Sequence, residues 1–195
     1  PVNRKFTLSF SQQEARKRLG LPEKGLCCLL AGGSIGAGSI PQAADILRTF
    51  LAGEENGTLV ILCGKRRGLY ERLCKKYQTD SRVLVLESTP RMAEYMRACD
   101  IFLTKPGGLS STEAAVSGVP LILLSPIPGC ETHNAAWFSS HRMALTAEHP
   151  QTDLLSALTS MQNVHGLKEE MLQAQRTYVN PNSTRDLCDF AERLL

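Results

Sequence analysis

Residues 26–38 have the sequence LCCLLAGGSIGAG, in which five largely apolar residues lead directly into a glycine-rich segment. A short, unbroken apolar run is typical of a strand buried on both faces of a parallel sheet. Glycines after such a strand let backbone N–H groups turn toward a ligand, and Pro41 suits the first turn of a following helix. The stretch therefore predicts a strand, a glycine loop and a helix in succession, which is the first unit of an α/β fold.

The same alternation continues along the rest of the chain. Further strands are predicted at residues 58–63, 82–86, 101–103, 120–124 and 144–146. Helices are predicted at residues 41–51, 68–77, 90–98, 110–117, 134–140, 153–159, 167–175 and 184–195. We therefore expect a Rossmann-like, doubly wound α/β domain with a mainly parallel sheet of about six strands and helices on both faces. Ligands of such sheets bind at the carboxyl ends of the strands, so the loops that follow the strands are the candidate sites.

The length, charge and cysteine content of the chain limit the class of protein to which it can belong. The 195 residues fit a single domain, and the net charge of +3 does not suggest a nucleic-acid partner. Seven scattered cysteines without a CxxC pair indicate a reducing, cytoplasmic compartment, and no apolar run approaches the roughly 20 residues of a membrane span. Basic clusters at 16–18 and 65–67 are interpreted either as solvated faces or as peripheral contacts with anionic lipid headgroups.

The first glycine loop can be compared with three known loop patterns. Pro41 falls where a GxGxxG fingerprint needs its third glycine, and Gly64-Lys65 is followed by Arg66 rather than by the Ser or Thr of a P-loop. The segment 32–36 does match the GxSxG nucleophile elbow, with Ser34 as the nucleophile. A serine hydrolase is thus an alternative, and its remaining triad members would be drawn from Asp100, Asp153, His133, His141, His149 and His165.

A second glycine loop, residues 104–113, follows the fourth predicted strand and opens a helix. Residues 110–113 have the pattern of a capping box, with Ser110 as the N-cap and Glu113 reaching back to it. Alternatively, the Glu113 carboxylate accepts hydrogen bonds from the two hydroxyls of a ribose. The capping role and the ribose-binding role both need the carboxylate oxygens of Glu113, so the two compete.

A third loop, residues 125–134, follows the fifth predicted strand. Glu131 and Asn134 could hydrogen-bond several sugar hydroxyls. The alternative is an exposed turn in which Asn134 is the N-cap of the next helix.

At these three loops the sequence resembles the GT-B glycosyltransferases that use UDP-sugars. It is similar in particular to processive diacylglycerol glucosyltransferases and monogalactosyldiacylglycerol synthases, and more distantly to the lipid II-forming N-acetylglucosaminyltransferase. The segments that carry the resemblance are 32–37, 63–65, 104–108 continuing to 113–114, and 128–131 with Asn134. The resemblance covers nearly the whole chain. It implies the C-terminal half of a GT-B fold, with residues 1–8 as the end of an interdomain linker and 176–195 as the C-terminal helix.

The resemblance also implies a role for individual residues. The diphosphate would be approached by Gly33, Ser34, Gly36, Gly108, Leu109 and Ser110. The ribose would be held by Glu113, the uracil by Leu86, Glu87 and Met92, and the donor sugar by Glu131 and Asn134. Lys65 and Lys105 are two further candidates. Cys130 stands where the family would have glutamine, so the details of the sugar contact differ here.

In the resembled family the sugar is transferred by direct displacement with inversion, without a cofactor. The chain has no DxD motif, so we expect no metal site, and preorganised N–H groups would stabilise the leaving diphosphate instead. No catalytic residue is assigned, because the base is expected in an N-terminal acceptor-binding domain. We therefore expect this chain alone to bind UDP-sugar but to be inactive. A non-hydrolysing UDP-sugar epimerase and a regulatory domain that only senses UDP-sugar are further alternatives.

Overall fold

A computed structural model describes residues 2–7, 10–33 and 40–194. The strands are β1 (Cys27–Ala31), β2 (Thr58–Leu62), β3 (Val83–Leu86), β4 (Ile101–Thr104), β5 (Leu121–Leu124) and β6 (Leu145–Ala147). They form a six-stranded sheet in the order β3-β2-β1-β4-β5-β6, and every pair of neighbours is parallel. This confirms the predicted Rossmann-like sheet, with each predicted strand within one residue or so of its observed position.

Nine α-helices are present in the part of the chain that the structure describes. They are α1 (Gln12–Leu19), α2 (Ile40–Phe50), α3 (Arg67–Tyr77), α4 (Met92–Ala98), α5 (Gly108–Ser117), α6 (Cys130–Ser140), α7 (Pro150–Asn163), α8 (Leu167–Tyr178) and α9 (Ser183–Glu192). Short 3₁₀ turns lie at Arg4–Phe6 and Leu51–Gly53. The segment 176–195, which the resemblance implied to be the C-terminal helix, contains the end of α8 followed by α9, close to the helices predicted at 167–175 and 184–195. The helix α1 was not predicted.

Helices cover both faces of the sheet. On one face α2 packs on β1, β2 and α7; on the other, α4 packs on β1 and α1, while α5 packs on β4, β5 and α8. Every residue of β1, β2, β4 and β5 is buried, whereas the edge strand β3 is half-buried throughout. The continuous apolar runs in the sequence therefore reflect strands that are enclosed on both sides. Val2 and Phe6, within the predicted linker 1–8, also belong to this core.

The strand order places the direction change of the sheet between β1 and β4. The chain passes from β1 outward to β2, and from β4 outward to β5 in the opposite direction. An open α/β sheet has a crevice at such a point, at the carboxyl ends of its strands, and binds its ligands there. In this chain the point lies between the loops that follow β1 and β4. These two loops are the glycine-rich ones.

The basic cluster 16–18 lies in the unpredicted helix α1, and its interpretation as a solvated or lipid-binding face is wrong for Arg16. Ser11 caps α1 by accepting the Glu14 N–H at 3.1 Å. Arg16 is only 4% exposed and donates to the carbonyls of Ala98, Glu23 and Gly25 and to the Asp100 carboxylate. Its guanidinium therefore ties α1 to the amino end of the sheet.

Candidate functional site

A cleft lies at the carboxyl ends of β1, β2 and β3, beside the crevice between β1 and β4. Five residues that the sequence analysis assigned to a nucleotide line it together: Gly33, Glu87, Met92, Ser110 and Glu113. They come from the loop after β1, the segment between β3 and α4, and the first turns of α5. The fold thus brings residues that are up to 80 positions apart in the sequence to one surface.

The first glycine loop begins with Gly33, which follows β1 by two residues. Gly33 has a φ of +70°, a backbone conformation that other residues adopt only with strain. A Cβ atom at this position would lie 3.0 Å from the Lys105 Cε atom, so the lysine tail passes against the bare glycine backbone. Ser34 and Gly36, the other predicted diphosphate contacts of this loop, lie outside the described residues.

The second glycine loop ends two residues earlier than predicted, and the capping box at 110–113 is wrong. The N-cap is Gly107, whose extended backbone (φ −73°, ψ 135°) starts α5 at Gly108. The first amide to bond back in the helical pattern is that of Ser111, which donates to the Gly107 carbonyl at 3.1 Å. The N–H groups of Gly108, Leu109 and Ser110 precede it, as unpaired first-turn donors of a helix do, and this is the arrangement that binds phosphates.

Glu113 does not cap α5, because it lies in the second turn of that helix. It is one helical turn after Ser110, so both side chains are on the face that lines the cleft. Partial burial raises the pKa of the Glu113 carboxyl, and the positive charge of Lys5 opposes that rise. A half-buried carboxylate beside first-turn helix amides is suited to accept hydrogen bonds from a pair of ligand hydroxyls.

The far end of the cleft is formed by Glu87, which directly follows β3, and by Met92, the first residue of α4. Leu86 lies behind them in β3, and its carbonyl accepts the Cys63 N–H at 2.9 Å. Ser88, Thr89 and Gly64 also line the cleft and were not predicted. Their position immediately after β3 and β2 was the signal that could have identified them.

Lys105, Glu131 and Asn134 form a second group next to Gly33 and the start of α5, and they are not among the residues that line the cleft. The Lys105 ammonium is paired with the Glu131 carboxylate, and both side chains are 14% exposed. The Asn134 amide donates to the Pro106 carbonyl at 3.0 Å. Asn134 is not the N-cap of α6, because the left-handed Gly129 (φ 110°) starts that helix at Cys130 and leaves Asn134 in its second turn.

Lys65 is exposed, whereas its neighbour Gly64 (φ 66°) lines the cleft. Arg66 and Arg67 are exposed as well, so the cluster 65–67 forms a basic surface at the start of α3. It adjoins the end of the cleft that is formed by β2 and β3.

The hydrolase triad finds little support among the described residues. Asp100 accepts the Cys27 N–H at 2.6 Å and pairs with Arg16, so its carboxylate is occupied at the amino end of the sheet. Ser34 lies outside the described residues. Asp153 accepts the His149 N–H at 2.9 Å and the Thr152 hydroxyl at 2.6 Å, which is the role of a helix-capping carboxylate.

The described residues contain no group of three His, Cys, Asp or Glu side chains placed to hold a metal ion. None of their helices combines the length and apolar character that crossing a bilayer requires.

The chain is similar to known glycosyltransferases in sequence. The family model described as glycosyltransferase family 28 C-terminal domain matches residues 27–183. The processive diacylglycerol beta-glucosyltransferase of Staphylococcus aureus (strain NCTC 8325 / PS 47) is 28% identical over 193 residues, which are 97% of this chain and 49% of that protein. The chain therefore spans about half the length of the curated relatives it matches.

Solved structures share the fold. MurG of Acinetobacter baumannii has a TM-score of 0.67 at 23% identity, over 96% of this chain and 55% of that one. A protein of Listeria monocytogenes that is described as a putative UDP-N-acetylglucosamine 2-epimerase has a TM-score of 0.68 at 15% identity, over 84% of this chain and 43% of that one. At these identities the likeness shows the fold alone.

Proposed function

Since the chain belongs to the glycosyltransferase family 28 C-terminal domain family, we propose that it is the UDP-sugar-binding half of an inverting, metal-independent hexosyltransferase that needs no cofactor. The observation that carries the proposal is the convergence of Gly33, Ser110 and Glu113 on one cleft beside the start of α5. This family membership also argues against the hydrolase alternative.

In the proposed complex, the diphosphate lies at the N-terminus of α5, where the amides of Gly108, Leu109 and Ser110 face it. Gly33 allows the backbone of the first loop to approach from the other side, and Ser34 and Gly36 of the same loop stay predicted diphosphate contacts. Glu113 accepts the ribose hydroxyls, and the uracil occupies the end of the cleft at Glu87 and Met92. The sugar extends past Gly33 toward Glu131 and Asn134.

The proposed reaction is a single displacement. The acceptor hydroxyl oxygen forms a bond to the anomeric carbon of the sugar while the bond from that carbon to the UDP oxygen breaks. A base takes the hydroxyl proton, and UDP leaves with the electron pair of the broken bond. The helix amides stabilise the charge that develops on UDP, and losing one such donor typically slows a reaction by about 10²–10³.

We place the base outside this chain, in an N-terminal acceptor-binding domain, because the relatives are about twice as long. The chain by itself would then bind the donor and transfer little sugar. The name of the Staphylococcus aureus relative suggests diacylglycerol as the acceptor. Contact with the inner face of the membrane, through basic surfaces such as residues 65–67, would fit a lipid acceptor.

The test is a calorimetric titration of UDP and of pyrophosphate into the 195-residue chain. We expect UDP to bind, and Glu113→Ala to weaken UDP about tenfold to a hundredfold, since hydrogen bonds to a charged group contribute about 1.5–3 kcal/mol. Pyrophosphate, which has no ribose, should bind wild type and Glu113→Ala alike. Absence of UDP binding at millimolar concentration would contradict the proposal.

An epimerase is the second candidate, because a protein described as an epimerase shares the fold. Incubation of the protein with a UDP-sugar and no acceptor distinguishes the two. Conversion of the sugar under those conditions would favour the epimerase.

A further inference from the structure

We propose that Lys105 is a positioning residue, which fixes the Glu131 carboxylate toward the donor sugar and so makes the site prefer a sugar-bearing nucleotide over bare UDP. This inference rests on the proposed function, in which Glu131 and Asn134 contact the sugar. It assigns to Lys105 a role different from neutralising the diphosphate, which is the usual expectation for a lysine beside a glycine loop.

Glu131 is held by two donors, one on each carboxylate oxygen. Its Oε1 atom accepts from the Lys105 ammonium, and its Oε2 atom accepts the Ile127 N–H at 2.9 Å. The two donors come from different loops, after β4 and after β5. A carboxylate anchored at both oxygens has a fixed plane, and its remaining lone pairs point in fixed directions.

The same segment also holds the second proposed sugar contact. The Asn134 amide donates to the carbonyl of Pro106, the residue after Lys105, at 3.0 Å. The backbone of that segment is itself closed by the Gly107 N–H, which donates to the Lys105 carbonyl at 2.7 Å. Residues 105–107 therefore set the positions of both Glu131 and Asn134.

The Lys105 side chain reaches Glu131 by passing against Gly33, with its Cε atom 3.0 Å from where a Cβ would stand. Its ammonium group is paired with the Glu131 carboxylate, and each of the two side chains is 14% exposed. Such a pair is close to neutral as a unit, so it adds little attraction for a diphosphate. Removing the lysine would leave a mostly buried carboxylate with a single N–H donor, and that carboxylate would turn toward water.

The test compares the affinities of UDP and UDP-glucose for the 195-residue chain by calorimetry. In Lys105→Met we expect the ratio of UDP-glucose affinity to UDP affinity to fall about tenfold, which corresponds to the loss of one charge-assisted hydrogen bond. The affinity for UDP itself should stay within about twofold, and this also reports that the variant is folded.

Two further variants make the result specific. Glu131→Gln should lower the same ratio, and in that background Lys105→Met should have no additional effect, because the lysine acts through the carboxylate. Lys76→Met is the matched control: Lys76 pairs with Asp45 on the surface, at 45% and 50% exposure, away from the cleft. It should leave both affinities unchanged.

The possible outcomes distinguish a failure of this inference from a failure of the proposed function. If Lys105→Met weakens UDP and UDP-glucose equally, the lysine binds the diphosphate and the inference is overturned while the proposed function stands. An unchanged ratio in both Lys105→Met and Glu131→Gln also overturns it. If wild type binds neither nucleotide, the proposed function fails first and this inference fails with it.

Discussion

The two ends of the sheet use charged residues in opposite ways. At the amino end, the Arg16 guanidinium donates to three carbonyls and a carboxylate, and Asp100 accepts from Arg16, from the Cys27 N–H and from the Gln12 amide. At the carboxyl end, Glu113 is half-buried with a raised pKa, beside helix amides that have no carbonyl to bond to within α5. The Arg16–Asp100 network is satisfied within the chain, whereas Glu113 and the first amides of α5 are available to a ligand.

This difference shows that a structural charged group can be distinguished from a candidate binding group by whether its hydrogen bonds are already made within the chain. The charge of the group and its position in a loop do not make that distinction. Buried polar groups are normally paired, so a cluster of underused donors and acceptors indicates a binding surface. The contrast can be tested by changing matched residues at the two ends.

The largest effect is expected at the amino end. Arg16→Met should lower the free energy of unfolding by about 3–5 kcal/mol, because it leaves the partly buried Asp100 carboxylate without its cation. Urea denaturation measures this change. UDP affinity, measured where the variant is folded, should equal that of wild type.

Arg18→Met is the control in the same helix. Arg18 pairs with Glu14 at about half exposure on each side, and exposed pairs contribute about 0–1 kcal/mol. A loss in Arg18→Met as large as that in Arg16→Met would mean that the buried network is not what stabilises the amino end.

An intermediate effect is expected from two left-handed glycines, one at each end. Gly20 (φ 68°) follows α1 with open space around it, and Gly33 (φ 70°) faces the Lys105 tail. Alanine at either position should reduce stability by about 1–2 kcal/mol through backbone strain. Only Gly33→Ala should also weaken UDP-glucose, because its Cβ displaces Lys105. Equal nucleotide affinity in both variants would contradict the placement of Gly33 in the site.

The smallest effect is a pH dependence of nucleotide binding. In the proposed complex the ionised form of Glu113 accepts the ribose hydroxyls, and burial raises the pKa of this carboxyl. The affinity should therefore fall by about a few-fold as the pH decreases through a midpoint above the ordinary pKa of a glutamate. UDP-glucose is the suitable probe because it lacks a terminal phosphate that titrates. Lys5→Met should move the midpoint to higher pH, and Glu113→Ala should abolish the dependence. A wild-type affinity that does not change between pH 7.5 and about 4.5 would refute this role.

Much of the fold could be predicted from the sequence, because each central strand is buried on both faces and therefore appears as a continuous apolar run. The helix α1 was missed because its inward side is formed by Ala15 and by Arg16, which donates to the Ala98 carbonyl, 82 residues away. No local pattern of hydrophobic residues records such a contact.

Five of the predicted nucleotide contacts line one cleft, but the sequence did not predict the local geometry around them. The glycine pairs and Glu113 were identified by their position after strands, but the start of α5 was misplaced because Ser110 is a better N-cap by composition than Gly107. The pairing of Lys105 with Glu131 joins residues 26 positions apart on different loops. It follows from the adjacency of β4 and β5, which only the folded sheet reveals.

The cleft has two parts. Ser110 and Glu113 lie on one face of α5, where the helix fixes their spacing, whereas Glu87 and Met92 lie on a separate segment whose residues can be replaced independently. An insertion within the first turns of α5 would rotate Glu113 by about 100° relative to Ser110 and break their shared alignment. Residues 87–89, in contrast, can be replaced without altering the register of that helix. Under the proposed function, altered nucleobase selectivity would therefore arise most easily in the β3–α4 connection, by sequence divergence that leaves the proposed phosphate and ribose contacts intact.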